Sequence, residues 1–179
     1  MNFQSQKSAR FALTEFPESN LTTTVDVLFK LSNAGINFVY TITGDLSDVN
    51  FPLYKKERRE NNLWENSCFE FFIAEKQTTE YREFNFSPSG KWNVYSFDSH
   101  RKNMKEEEKV KNVKIRTERE KNKFVLFAYV DFRLAKPASN YEFQLATILK
   151  TKDGIRHFFA IDNSSEQPDF HNRKFFVDL

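Results

Sequence analysis

Little in this sequence bends or crosslinks the backbone. Only 4 glycines and 5 prolines are spread over 179 residues, which excludes collagen-like, linker-like and low-complexity architectures, because those depend on the two residues. The single cysteine, Cys68, cannot close an internal disulfide, so the fold needs no oxidising compartment. No apolar run approaches the length that crosses a bilayer. Residues 1–20 mix Lys7, Arg10, Glu15 and Glu18 with scattered apolar residues and hold no continuous apolar core of a secretion signal. A cytoplasmic setting is expected. An excess of charge is also missing, since 27 Lys and Arg stand against 25 Asp and Glu. A phosphate backbone demands a basic footprint, so neither nucleic acid nor a membrane is an expected partner. There is no Cys/His metal cluster, no glycine-rich phosphate loop and no nucleophile elbow. No cofactor or metal is expected, and the chain is not read as an enzyme.

What is abundant is phenylalanine, with 21 copies, and strand-like pattern. Segments 24–31, 36–43, 67–74, 81–86 and 91–97 are short, rich in aromatic or β-branched residues and bounded by turn formers. Segments 110–117, 124–131, 141–149 and 156–161 continue the pattern, giving about nine strands at sandwich-like spacing. A last strand over 175–179 closes the sequence. Asn33-Ala34-Gly35 and Glu120-Lys121-Asn122 are read as hairpin turns. The charged stretches 52–62 and 102–109 are read as solvated loops or single helical turns. The length suits one core and hence one domain over 1–179. Phenylalanine in strands reads first as core packing.

Two joined hairpins give the most definite geometry. A loop over Lys76–Thr79 pairs Glu70 with Asn85 and Phe72 with Glu83. The next turn, Ser87-Pro88-Ser89-Gly90, has proline second and glycine fourth, and as a plain four-residue turn it pairs Phe86 with Lys91 and Asn85 with Trp92. Glu70, Asn85 and Trp92 then form one row, while Phe69, Phe71, Phe84 and Phe86 take the opposite, buried face. A carboxylate, an amide and an indole side by side suit a polyol, with the ring as a flat platform and the polar groups fixing hydroxyls. Glu70 and Glu83 share a face, as an acid–base pair on a glycosidic bond would. In this register, however, they are diagonal neighbours rather than opposed across a cleft.

The wording of the middle of the chain is also distinctive: Leu63-Trp64, Ser67-Cys68-Phe69-Glu70, Tyr81, Glu83, Asn85 through Gly90, Trp92, Tyr95, Phe97, Arg101 and Met104, with Pro168-Asp169-Phe170-His171 near the end. From about Leu28 to Leu179 this pattern resembles the bacterial DOMON-like domains related to family 9 carbohydrate-binding modules. The resemblance implies an all-β, immunoglobulin-like antiparallel β-sandwich that is usually non-catalytic, in a superfamily whose characterised members bind sugars or haem. In the sugar-binding modules an aromatic residue lies six positions before a Glu on the following strand, and Trp64 and Glu70 reproduce that placement. Those modules hold the sugar between two rings; Trp64 is the candidate for one, with Phe170 or Trp92 for the other.

The expected function is therefore a ligand-binding module for a sugar or sugar-like small molecule, with Trp64, Glu70, Asn85, Trp92, Arg82, Arg101 and His171 as its ligand-facing set. Two alternatives stand beside it. Some DOMON domains ligate haem through Met and His, and this chain offers Met104 with His171, His157 or His100. A module that docks onto another protein, without a small-molecule ligand, is the other.

Overall fold

Alternating apolar residues set the strands. The computed structural model describes residues 7–16, 21–162, 164 and 167–179. Its strands are β1 (Lys7–Glu15), β2 (Thr23–Ser32), β3 (Gly35–Gly44), β4 (Arg58–Arg59), β5 (Cys68–Glu75), β6 (Tyr81–Phe86) and β7 (Lys91–Phe97). They continue as β8 (Lys105–Glu106), β9 (Val113–Arg119), β10 (Lys123–Val130), β11 (Tyr141–Lys150), β12 (Arg156–Ala160) and β13 (Val177–Asp178). All the main strands read from the sequence are present, although β9 begins only at Val113 and the last strand shrinks to Val177–Asp178.

The all-β class holds, but the strand count and the sheet arrangement are corrected. Among the described residues thirteen strands replace about nine. Eleven lie on one hydrogen-bonded path, β4-β7-β6-β5-β11-β12-β1-β2-β3-β10-β9, with β8 and β13 paired off it. The sheet curls so that its two halves face each other. β1 makes the join: Lys7 to Leu13 pair with β2, and Thr14 and Glu15 pair with β12. β1 escaped the sequence reading because most of its apolar positions are only half-buried. β4 and β8 are two-residue strands of charged side chains, held by the edge of β7.

The phenylalanines fill the space inside the curl. Phe71 on β5 lies 4.9 Å from Phe38 on β3 and 5.6 Å from Phe84 on β6, ring centre to ring centre. Phe143 on β11 lies 5.0 Å from Phe29 on β2. Each such ring contributes about 1.5–3 kcal/mol by leaving water. The other face of β5, β6 and β7 is also covered, by a smaller apolar layer that includes Phe72, Tyr81, Phe97 and Phe170. β5 is consequently buried on both faces.

One expected register holds and its neighbour is corrected. β5 and β6 pair Glu70 with Asn85 and Phe72 with Glu83, as the Lys76–Thr79 loop requires. β6 and β7 instead pair Phe86 with Trp92 and Asn85 with Asn93. The cause lies in Gly90, whose φ of 88° is left-handed. With the Gly90 amide donating to Ser87 O at 3.0 Å and the Ser87 amide to Lys91 O at 2.9 Å, the connection is a three-residue loop with a bulge. That extra residue shifts β7 by one position, and a shift of one reverses every face. Trp92 therefore enters the core, where the Arg59 guanidinium lies 4.5 Å over its ring, and Asn93 takes the place beside Asn85.

The charged stretches are more ordered than expected of solvated loops. Arg59 donates to Asn93 Oδ1 at 2.6 Å, to Glu107 O at 3.1 Å and to Val110 O, pinning residues 52–62 and 102–109 together.

Candidate functional site

Because side chains alternate along strands, the face of β5 and β6 turned away from the core presents Cys68, Glu70 and Phe72 beside Tyr81, Glu83 and Asn85. A 3-10 turn at Leu63–Glu65 brings Trp64 over one side. The segment Pro168–His171 folds back over the other. Between them lies a cavity of about 590 Å³. Glu70 and Glu83 form its floor, Trp64, Phe97, Phe158 and Phe170 supply aromatic walls, and Arg101 and Met104 stand at the rim.

The floor is fixed from beneath. Asn85 is fully buried and does not line the cavity. Its Nδ2 donates to Glu83 Oε1 at 2.6 Å, and its Oδ1 accepts from the Cys68 thiol at 3.2 Å. The amide is therefore a positioning group for Glu83. Burial raises the pKa of Glu83 to about 7, against the lowering effects of Asn85 and Arg101. Burial also holds Glu70 well above the usual carboxylate range, helped by the neighbouring Glu83 charge. The two carboxyls thus favour a protonated or cation-compensated state.

A second chain of bonds orders the rim. The Arg101 backbone amide donates to Tyr81 Oη at 3.1 Å, and Tyr81 Oη stands 2.7 Å from His171 Nδ1. With Tyr81 Oη already accepting from the Arg101 amide, we assign the phenolic proton to the bond with Nδ1 and the ring proton to Nε2. Burial and the Arg101 charge lower the His171 pKa to about 3, which makes the ring neutral with its proton on Nε2. Nε2 lies 3.7 Å from Glu83 Oε2, too long for a direct hydrogen bond. With the ring neutral, this is not an ion pair. Asp169 locks the rim by accepting from Arg101 Nη2 at 2.9 Å and contacting His100 Nε2 at 2.9 Å. Burial pushes the Asp169 pKa up, but these bonds outweigh it and hold it low.

Of the residues proposed from sequence, Trp64, Glu70, Arg101 and His171 come together on this cavity, and Phe170 joins them as a second ring. Asn85 lies one layer below. Trp92 is on the opposite face in the core, and Arg82 also faces away, donating from Nε to Glu107 Oε2 at 2.7 Å. Glu83, outside that set, also lines the cavity, where alternation from Asn85 places it. Phe97 follows from the corrected β7 register. Phe158 has only its place on β12 as a signal.

No family model matches the sequence, and no curated protein matches it either. Solved structures do match in three dimensions. A candidate carbohydrate-binding protein from Bacteroides uniformis superposes with a TM-score of 0.66 at 13% identity, over 95% of this chain and 84% of the other. A family 9 carbohydrate-binding module from Caldicellulosiruptor kristjanssonii in complex with glucose gives 0.56 at 9% identity, over 92% and 82%. The same organism's family 9 module with cellotriose gives 0.52 at 9% identity, over 87% and 75%. The chain shares its fold with family 9 carbohydrate-binding modules. At these identities the likeness is one of fold, and the site must be argued from its own residues.

Haem does not fit those residues. Met104 and His171 border the same cavity, but Met104 is 50% exposed and the cavity floor carries two buried carboxyls, whereas haem ligation needs a deep apolar pocket. His100 is held by Asp169, and His157 lies with its Nδ1 3.5 Å from Glu15.

Proposed function

We propose that this chain is a non-catalytic, DOMON-like binding module for a sugar or sugar-like small molecule, seated over Glu70 in the cavity walled by Trp64 and Phe170. The observation that carries the reading is the conjunction of aromatic walls with buried, directional polar groups on a fold shared with sugar-binding modules. Rings bury the apolar faces of a pyranose, and carboxyls fix its hydroxyls. In this reading Glu70 and Glu83 accept from the ligand, His171 Nε2 and Arg101 donate to it, and Asn85 holds Glu83 in place. Trp92 and Arg82 serve the fold instead. Glu70 and Glu83 are diagonal neighbours on one sheet face rather than opposed across a cleft, an arrangement that suits binding rather than hydrolysis.

Isothermal titration with glucose, cellotriose and other small saccharides, beside the Trp64→Ala variant, tests the proposal. Saturating sugar at about 100 times Kd should stabilise the protein by about 2.7 kcal/mol. Trp64→Ala should weaken binding at least about tenfold, the cost of losing an aromatic anchor. Folded protein that shows neither heat nor thermal shift with any saccharide would reject it.

A further inference from the structure

The floor of the cavity has a surplus of acceptors. Glu70 is 2% exposed and Glu83 4% exposed, yet no ion pair from a lysine or arginine reaches either carboxyl among the described residues. Among the described residues the hydrogen-bonding neighbour of Glu70 is the Cys68 thiol, whose one proton is shared with Asn85 Oδ1. Glu83 receives one amide donor at Oε1 and leaves Oε2 facing His171 across 3.7 Å. The two nearby guanidinium groups are committed elsewhere. Arg101 binds Asp169 at the rim, and Arg156 reaches the Trp64 carbonyl and lies 5.7 Å from the centre of the Phe158 ring. Both are exposed. The Arg101 charge acts on both carboxyls without pairing with either, and buried carboxyls that lack an ion-pair partner carry a large desolvation cost, which a proton or a bound cation removes.

We propose that the group which reaches this floor is a protonated amine, so that among sugar-like ligands the pocket prefers an amino sugar to its neutral parent. An ammonium group brings three N–H donors and no acceptor, matching the open oxygens of Glu70 and Glu83 better than a hydroxyl, which brings one donor. The aromatic walls favour the same ligand, because ring faces attract a desolvated cation. The ligand's being a sugar rests on the reading given above; the preference for positive charge rests on the floor alone. An entering ammonium also displaces a proton from the carboxyl pair, whereas a neutral sugar leaves it bound.

The test compares glucose, glucosamine and 6-amino-6-deoxyglucose with cyclohexylamine, a ring-sized amine that is not a sugar, by isothermal titration in two buffers of different ionisation enthalpy. At least one amino sugar should bind at least about tenfold more tightly than glucose, with net proton release that glucose does not show. In Glu70→Gln and Glu83→Gln the ratio of amino-sugar to glucose affinity should fall toward one. Each variant is first checked for cooperative melting, and the single variants keep an amide in place of each carboxyl. Glucose binding with no amine preference overturns the amine inference and leaves the sugar reading standing. Cyclohexylamine binding without any sugar binding keeps the amine inference and rejects the sugar reading. A preference that survives in both variants, or no binding of any probe, overturns it.

Discussion

Glu83→Gln gives the sharpest test of how the site floor is built. In the folded protein Glu83 has a pKa of about 7, raised from 4.5 by burial. An unfolded chain releases that proton near 4.5 while the folded chain keeps it, so folding stability falls as pH rises between the two values. The difference of about 2.5 pH units, at about 1.4 kcal/mol per unit, makes Glu83 cost about 3 kcal/mol above pH 7 relative to pH 4.5. Glu70, raised by the same burial, acts in the same direction. His171 acts oppositely. Its pKa is lowered from 6.5 to about 3, so its stabilising contribution is present above 6.5 and is lost as pH falls. The wild-type profile mixes these slopes, and the difference between variant and wild type reports Glu83 together with the part of the Glu70 shift that the Glu83 charge causes. Glutamine keeps an acceptor for Asn85 Nδ2, so the two proteins should be similar near pH 4.5. By pH 8 the variant should be ahead by about 3 kcal/mol, roughly 6–12 °C in Tm for a domain of this size. Urea and thermal unfolding across that range measure the gap. A gap that stays constant would refute the claim that Glu83 is a buried carboxyl without an ion-pair partner.

Two further changes probe the fold around the site. Phe71→Ala removes the ring that meets Phe38 and Phe84 inside the curl and should cost about 3–5 kcal/mol in urea unfolding; a loss below about 1 kcal/mol would mean the ring is not central to the core. Gly90→Ala forces a side chain into left-handed backbone and puts its Cβ 2.8 Å from the Lys56 carbonyl oxygen. It should cost more than about 1 kcal/mol, and an unchanged denaturation midpoint would contradict the bulged turn.

Much of this was legible because side-chain alternation is a local property. The strand positions, the Phe69 and Phe71 face and the Glu70–Asn85 pairing all follow from residues close in sequence. The β6–β7 error arose at one residue. Pro88 and Gly90 fit both a four-residue turn and a three-residue bulged loop, and the choice depends on the left-handed φ of Gly90, which packs against the Lys56 and Tyr54 region over thirty positions earlier. Trp92 and Asn93 exchanged faces as a result. Residues such as Phe158 and Arg59 could not be assigned roles from sequence, because their partners lie on distant segments: Phe170 for the first, Val110 and Glu107 for the second.

The double burial of β5 has a consequence for variation. One strand serves as a partition between two compartments, so neighbouring codons answer to different demands. Positions 69, 71 and 73 face the packed interior and tolerate only apolar exchange of similar volume. Positions 68 and 72 pack into the second apolar layer, and position 70 between them opens onto the cavity floor. A substitution scan along this strand should therefore give effects on folding at every position but 70, where recognition is changed instead, one ligand-facing residue set into a stretch of chain that otherwise serves two packed layers.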